Sequence, residues 1–117
     1  MKRKVMVVTV CAGAVCRSVA MALFLKGEGI DALALSFDWN TPATFSMLSK
    51  WADRIVVMEA KYAAKIPAKY TGKVRVCDVG PDRWRNPLHE ELLGKCHAWF
   101  TAGGMAEPAP TEEKVTK

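Results

Sequence analysis

The segment Val10-Cys11-Ala12-Gly13-Ala14-Val15-Cys16-Arg17-Ser18 constrains this chain most. A cysteine, five residues and an arginine follow directly on the apolar run Val5-Met6-Val7-Val8-Thr9-Val10, and the helical pattern Val19-Ala20-Met21-Ala22-Leu23-Phe24-Leu25 comes next. Strand, small-residue loop and helix in that order make an anion cradle. The N–H groups of the loop and of the helix start converge on one point, where they can hold a phosphate-like dianion. Arg17 adds a planar fork that grips two oxygens, which lysine cannot do. Cys11 sits at the floor of that cradle, and its thiolate is the nucleophilic form. The expected phosphate contacts are Ala12, Gly13, Ala14, Val15 and Cys16 from the loop, with Arg17.

The 117 residues suffice for one domain with one core. No apolar stretch approaches the ~20 residues of a membrane span. Met1-Lys2-Arg3-Lys4 reads as a basic lead-in to a first strand rather than as a signal peptide, because the apolar run after it is too short. The expectation is a cytoplasmic protein, with Cys11, Cys16, Cys77 and Cys96 kept as thiols. No C-x-x-C pair occurs and His89 and His97 lie far from Cys11 and Cys16, so neither metal nor other cofactor is expected. Net charge is +5. From residue 105 onward three glutamates against two lysines leave −1, so the body carries +6. A basic body suits an anionic substrate; no aromatic–basic platform points to nucleic acid, and no membrane partner is expected.

Apolar and polar segments alternate as strand and helix, which predicts an α/β single domain: a four-stranded parallel sheet with helices on both faces. Strands are expected at 4–10, 32–36, 53–58 and 73–79, the last at a sheet edge. Helices are expected at 18–26, ending at Gly27 or Gly29; at 44–51, opened by Thr41-Pro42; at 59–66, stopped by Pro67; and at 87–101, stopped by Gly103-Gly104. The domain is drawn at 1–102. Residues 103–117, rich in Pro, Glu and Thr, are expected to be a disordered tail. Open α/β sheets bind ligands at the C-terminal ends of their strands, where the cysteine loop falls.

Val10-Cys11-x-Gly13-x-x-Cys16-Arg17-Ser18 resembles the signature of the low-molecular-weight protein tyrosine phosphatases. Trp51-Ala52-Asp53-Arg54-Ile55-Val56-Val57-Met58-Glu59 is similar to that family's third strand, and Pro81-Asp82-Arg83-Trp84 to its acid loop. The resemblance covers most of residues 4–100 and implies a phosphatase I-like fold. It also implies a cysteine-dependent hydrolase of phosphotyrosine or similar aryl phosphates, acting on a phosphorylated protein or small aryl phosphate and releasing inorganic phosphate. On this resemblance Cys11 forms a phosphocysteine and Arg17 holds the equatorial oxygens. Ser18 hydrogen-bonds the thiolate, and Asp82 protonates the leaving phenol oxygen and then activates water. Trp84 and Trp39 would wall the substrate ring. No metal is needed, because Arg17 and the amides neutralise the charge.

Asp78 competes with Asp82 for the acid role or else caps backbone amides. Cys16 either fills space or traps an oxidised Cys11 as a disulfide. Ala14 stands where the family usually has an asparagine that ties the loop together, and Val19 where it often has proline. Ser36-Phe37-Asp38 departs from the usual Ser-Ala-Gly. Two other functions compete: a non-catalytic phosphate- or phosphoprotein-binding module, motivated by Ala14, and an arsenate reductase using Cys77 and Cys96 as relay thiols. Lys61, Lys65, Lys69 and Lys73 recur every four residues across Pro67, as a solvated face or a docking patch for acidic partners.

Overall fold

The computed structural model describes residues 5–12, 16–81 and 83–106. The β-branched run after the N-terminus forms β1 (Met6–Cys11), whose Val7, Val8, Thr9 and Val10 are wholly buried. A strand covered on both faces needs apolar residues at every position rather than alternation. The chain continues through α1 (Cys16–Gly27), β2 (Asp31–Ser36), α2 (Pro42–Trp51), β3 (Arg54–Val57), two 3₁₀ helices (Ala60–Lys65 and Ala68–Lys73), β4 (Val74–Val76) and α3 (Glu90–Thr101).

All strand pairs are parallel and the sheet order is β2-β1-β3-β4. β1 is central, pairing Val10 with Leu35 on one side and with Val57 on the other. α1 packs on β1 and β2 and against α3, while α2 meets β1. The right-handed crossover rule puts α1 and α2 on opposite faces, since the chain moves one way from β1 to β2 and back from β2 to β3.

The predicted order of elements is present, with shifted bounds. α1 starts at Cys16, two residues before the predicted start, so Arg17 and Ser18 lie in its first turn. Gly29, with φ 83°, ends α1: Gly29 N–H donates to Lys26 O and Ile30 N–H to Leu25 O, a Schellman closure that needs a left-handed residue. Thr41 caps α2 as predicted, its Oγ1 accepting from Thr44 N–H at 3.2 Å with Pro42 in the first turn. The segment at 59–66 is a 3₁₀ helix, and a second 3₁₀ helix follows Pro67 where the sequence carried no signal. Their tyrosines, Tyr62 and Tyr70, are buried, so tertiary anchoring rather than helical periodicity shapes both. β4 spans three residues instead of seven, although Cys77 N–H still donates to Val57 O at 2.9 Å and Val79 N–H to Met58 O at 3.1 Å.

Residues 103–106 form turns that return to the sheet. Arg54 Nε donates to Met105 O and Arg75 Nε to Ala106 O. The rest of the predicted tail, 107–117, lies outside the described residues. Among the described residues no helix is long and apolar enough to cross a membrane.

Candidate active site

β1 delivers Cys11 to the C-terminal edge of the sheet, and α1 begins five residues later. Cys11 is buried, and its Sγ lies 3.1 Å from Ser18 Oγ. Ser18 is fixed from below, because the Thr9 hydroxyl donates to Ser18 O at 2.6 Å and ties β1 to the first turn of α1. Strand, thiol and hydroxyl therefore form one rigid unit. Phe37 N–H donates to Cys11 O at 2.9 Å, extending the β1–β2 ladder past the nucleophile.

Arg17 is 2% exposed and reaches across the ends of three strands. Its Nη1 donates to Glu59 Oε1 at 2.6 Å, just past β3, and to Gly80 O at 2.7 Å, past β4. Its Nη2 donates to the Tyr62 hydroxyl at 3.0 Å. Burial disfavours the charged guanidinium, yet its hydrogen bonds to Glu59 and Tyr62 more than offset that, and its pKa is raised. Among the described residues the buried Arg17 Nε has no partner. The guanidinium is thus held by three hydrogen bonds, with its Nε–H and second Nη2–H left over.

These groups border a depression of about 220 Å³ lined by Ala12, Arg17, Asp38, Glu59, Tyr62 and Pro81, with Lys61 at its edge. Of the predicted residues Ala12 and Arg17 line it, while Cys11 and Ser18 are buried and in contact with each other. Gly13, Ala14, Val15 and Asp82 lie outside the described residues, although Pro81, next to Asp82, borders the depression. Cys16 is buried at the start of α1. Trp39 is 74% exposed in the loop after β2.

Trp84, expected as a substrate wall, is placed elsewhere. It is 4% exposed, donates Nε1 to Glu91 Oε1 and is covered by the Arg83 guanidinium at 4.3 Å. An indole whose N–H finds a partner gains by burial, and here it anchors the loop to α3. Asp78 spends both carboxylate oxygens on backbone: Oδ2 accepts from Ala60 N–H and Oδ1 from Gly80 N–H, each at 3.0 Å. Cys77 and Cys96 share a side-chain hydrogen bond in the core, and that bond, with burial, pushes the Cys77 thiol up. His89 and His97 are exposed on or beside α3. Among the described residues no cluster of His, Cys, Asp or Glu could hold a metal ion.

Glu59, Tyr62 and Asp38 were not singled out from sequence. Glu59 did carry a signal: it is the first charged residue after a buried parallel strand, at the edge where ligands bind. Tyr62 and Asp38 carried none, because each owes its place to packing between distant segments.

No family model and no curated protein matches the chain. Solved structures do match it. Wzb from Vibrio vulnificus, in complex with benzylphosphonate, is 14% identical with a TM-score of 0.64, over 86% of this chain and 99% of that one. The tyrosine phosphatase AmsI of Erwinia amylovora is 16% identical with a TM-score of 0.57, over 86% and 93%. A low-molecular-weight protein tyrosine phosphatase from Bacillus subtilis is 19% identical with a TM-score of 0.56, over 82% and 95%. At such identities the likeness speaks for architecture, and on it the chain has the fold of the low-molecular-weight protein tyrosine phosphatases, the family its cysteine loop resembles.

Proposed function

We propose that the chain is a cysteine-dependent phosphatase that hydrolyses phosphotyrosine or similar aryl phosphate monoesters through a phosphocysteine intermediate. The observation that carries this reading is the contact of Cys11 Sγ with Ser18 Oγ at the end of the central strand, beside a buried, pre-positioned Arg17. A binding module needs the arginine and the loop amides but has no use for a buried thiol held by a hydroxyl.

In this reading Ser18 donates to the Cys11 thiolate and aims it. The thiolate attacks phosphorus, the S–P bond forms, and the bond to the aryl oxygen breaks. A phenol leaving group has a pKa of about 10, so protonation in the transition state matters, by about 10²–10⁴-fold. Asp82 is assigned that role. Asp78, the alternative, has both oxygens committed to backbone amides. Asp82 then takes a proton from the water that hydrolyses the phosphocysteine, releasing phosphate and the thiolate. Arg17 and the amides of the 12–17 phosphate-binding loop hold the equatorial oxygens throughout. Free thiols at all four described cysteines fit a reducing, cytoplasmic setting.

The test is steady-state hydrolysis of para-nitrophenyl phosphate, metal-free and with reductant. Wild-type turnover should be abolished by Cys11→Ser and reduced about 10²-fold or more by Asp82→Ala. Turnover that survives Cys11→Ser would overturn the reading. Loss with Cys11→Ser but not with Asp82→Ala would move the acid elsewhere.

A further inference from the structure

A second concavity, about 320 Å³, lies beside the catalytic depression and plays no part in the chemistry above. Phe37, Pro42, Phe45 and Pro67 give it an apolar lining, Ser46 stands on its α2 side, and Lys65 on its rim. The two hollows share a wall. Phe37 stacks on Phe45 at 4.9 Å within the cavity and meets Tyr62 at 5.3 Å, and Tyr62 belongs to the catalytic side. Two ammonium groups ride on that wall. Lys65 Nζ lies 5.1 Å from the Phe37 ring and 5.9 Å from Tyr62, and Lys61 Nζ lies 5.6 Å from Tyr62.

We propose that this cavity is a substrate-recognition site for an apolar side chain close to the phosphotyrosine in an acidic segment of a phosphoprotein. The inference rests on the phosphatase reading and extends it from aryl phosphates to a peptide of stated chemistry. Two observations select that occupant. The wall is a single pair of rings, and an extended chain advances about 3.3–3.6 Å per residue, so a side chain one or two positions from the phosphotyrosine reaches the cavity. The ridge carries Lys65 and, beside it, Lys61, which already pairs with Glu59 Oε2 at 3.7 Å, so a carboxylate lying across it finds its partner in Lys65 and a basic segment is repelled. An unattached aryl phosphate would leave the cavity empty. The lysine periodicity of the sequence thus acquires a use at its first two members, while Lys69 and Lys73 both lie over Tyr70.

The experiment compares three phosphotyrosine peptides, flanked by leucine and glutamate, by alanine alone, or by leucine and lysine. Each is measured for hydrolysis by the wild-type chain, and for binding to the Cys11→Ser chain by fluorescence anisotropy. Para-nitrophenyl phosphate serves as the reference that cannot reach the cavity. The leucine–glutamate peptide should surpass the alanine peptide by about tenfold in kcat/KM. Ser46→Trp, at an exposed α2 position, should fill the cavity and remove that preference, leaving turnover of para-nitrophenyl phosphate within about twofold. Lys65→Glu should reverse the order of the glutamate and lysine peptides, and decides the matter alone if Ser46→Trp does not fold. Equal rates for all peptides, or a preference that survives both substitutions, would overturn the proposal. If para-nitrophenyl phosphate is not hydrolysed but the binding preference follows the same order, the phosphatase reading falls and the recognition site stands.

Discussion

Glu59 carries the clearest consequence at the scale of single residues. It is the carboxylate that faces a nearly fully buried arginine, 2.6 Å from Nη1. Removing one member of a buried pair leaves the other charge uncompensated, at a cost of about 3–5 kcal/mol. Glu59→Ala should therefore lower Tm by roughly 10 °C or more, as read by circular dichroism. It should also depress kcat/KM on para-nitrophenyl phosphate, because Arg17 loses its anchor. Tyr62→Phe removes one hydrogen bond to the same guanidinium, worth about 1.5–3 kcal/mol, and should rank below it. Because the Arg17 pKa is raised in the fold, its contribution is fully present below arginine's ordinary pKa and is lost only as pH rises through the still higher folded value. The Tm gap between wild type and Tyr62→Phe should accordingly stay constant from about pH 7 to 9. A gap that closes within that window would mean that Tyr62 is not acting on a charged arginine.

At the scale of elements, the features that can be read from sequence are those fixed locally. Thr41-Pro42 announces α2 because cap and first-turn proline act within four residues, and Gly29 and Gly103 close α1 and α3 because each takes a positive φ. Thr41→Ala should cost about 1 kcal/mol, a fall in Tm of roughly 4–8 °C. The 3₁₀ helices were not legible, since buried tyrosines set them from a distance. Gly104 belongs with these. A Cβ there would run into the ring of Trp99, whose Nε1 donates to Val76 O at 2.8 Å. Gly104→Ala must push the indole away from β4, and should destabilise by about 1–3 kcal/mol. The same substitution at Gly94, in the middle of α3 with open space around its Cα, should stabilise by roughly 0.5–1 kcal/mol. Opposite signs in thermal melts of the two variants would separate packing from helix propensity.

At the scale of the whole molecule, the site is a product of topology. Cys11 ends β1; Asp38, Glu59 and Gly80 follow the C-terminal ends of the other three strands, and a parallel sheet places those four ends side by side. The contiguous part, Cys11, Ala12, Arg17 and Ser18, could be found from sequence; the part assembled from three other loops could not, apart from Glu59. The body that carries this site has a net charge of +6 before its acidic end. Such a field raises the local concentration of a dianionic ester, and it is screened over about 10 Å at ~0.1 M ionic strength. Arg17 is buried and much less affected by salt. Raising ionic strength from about 0.02 to about 0.5 M should therefore raise KM for para-nitrophenyl phosphate about threefold or more and leave kcat nearly unchanged. Lys61→Ala, which removes a cation from the edge of the depression, should flatten that dependence without abolishing it. A KM indifferent to salt would mean that the cradle alone captures the phosphate and that the basic body serves another purpose. A kcat that falls with salt would mean that surface charge acts on the transition state itself, contrary to the buried position of Arg17.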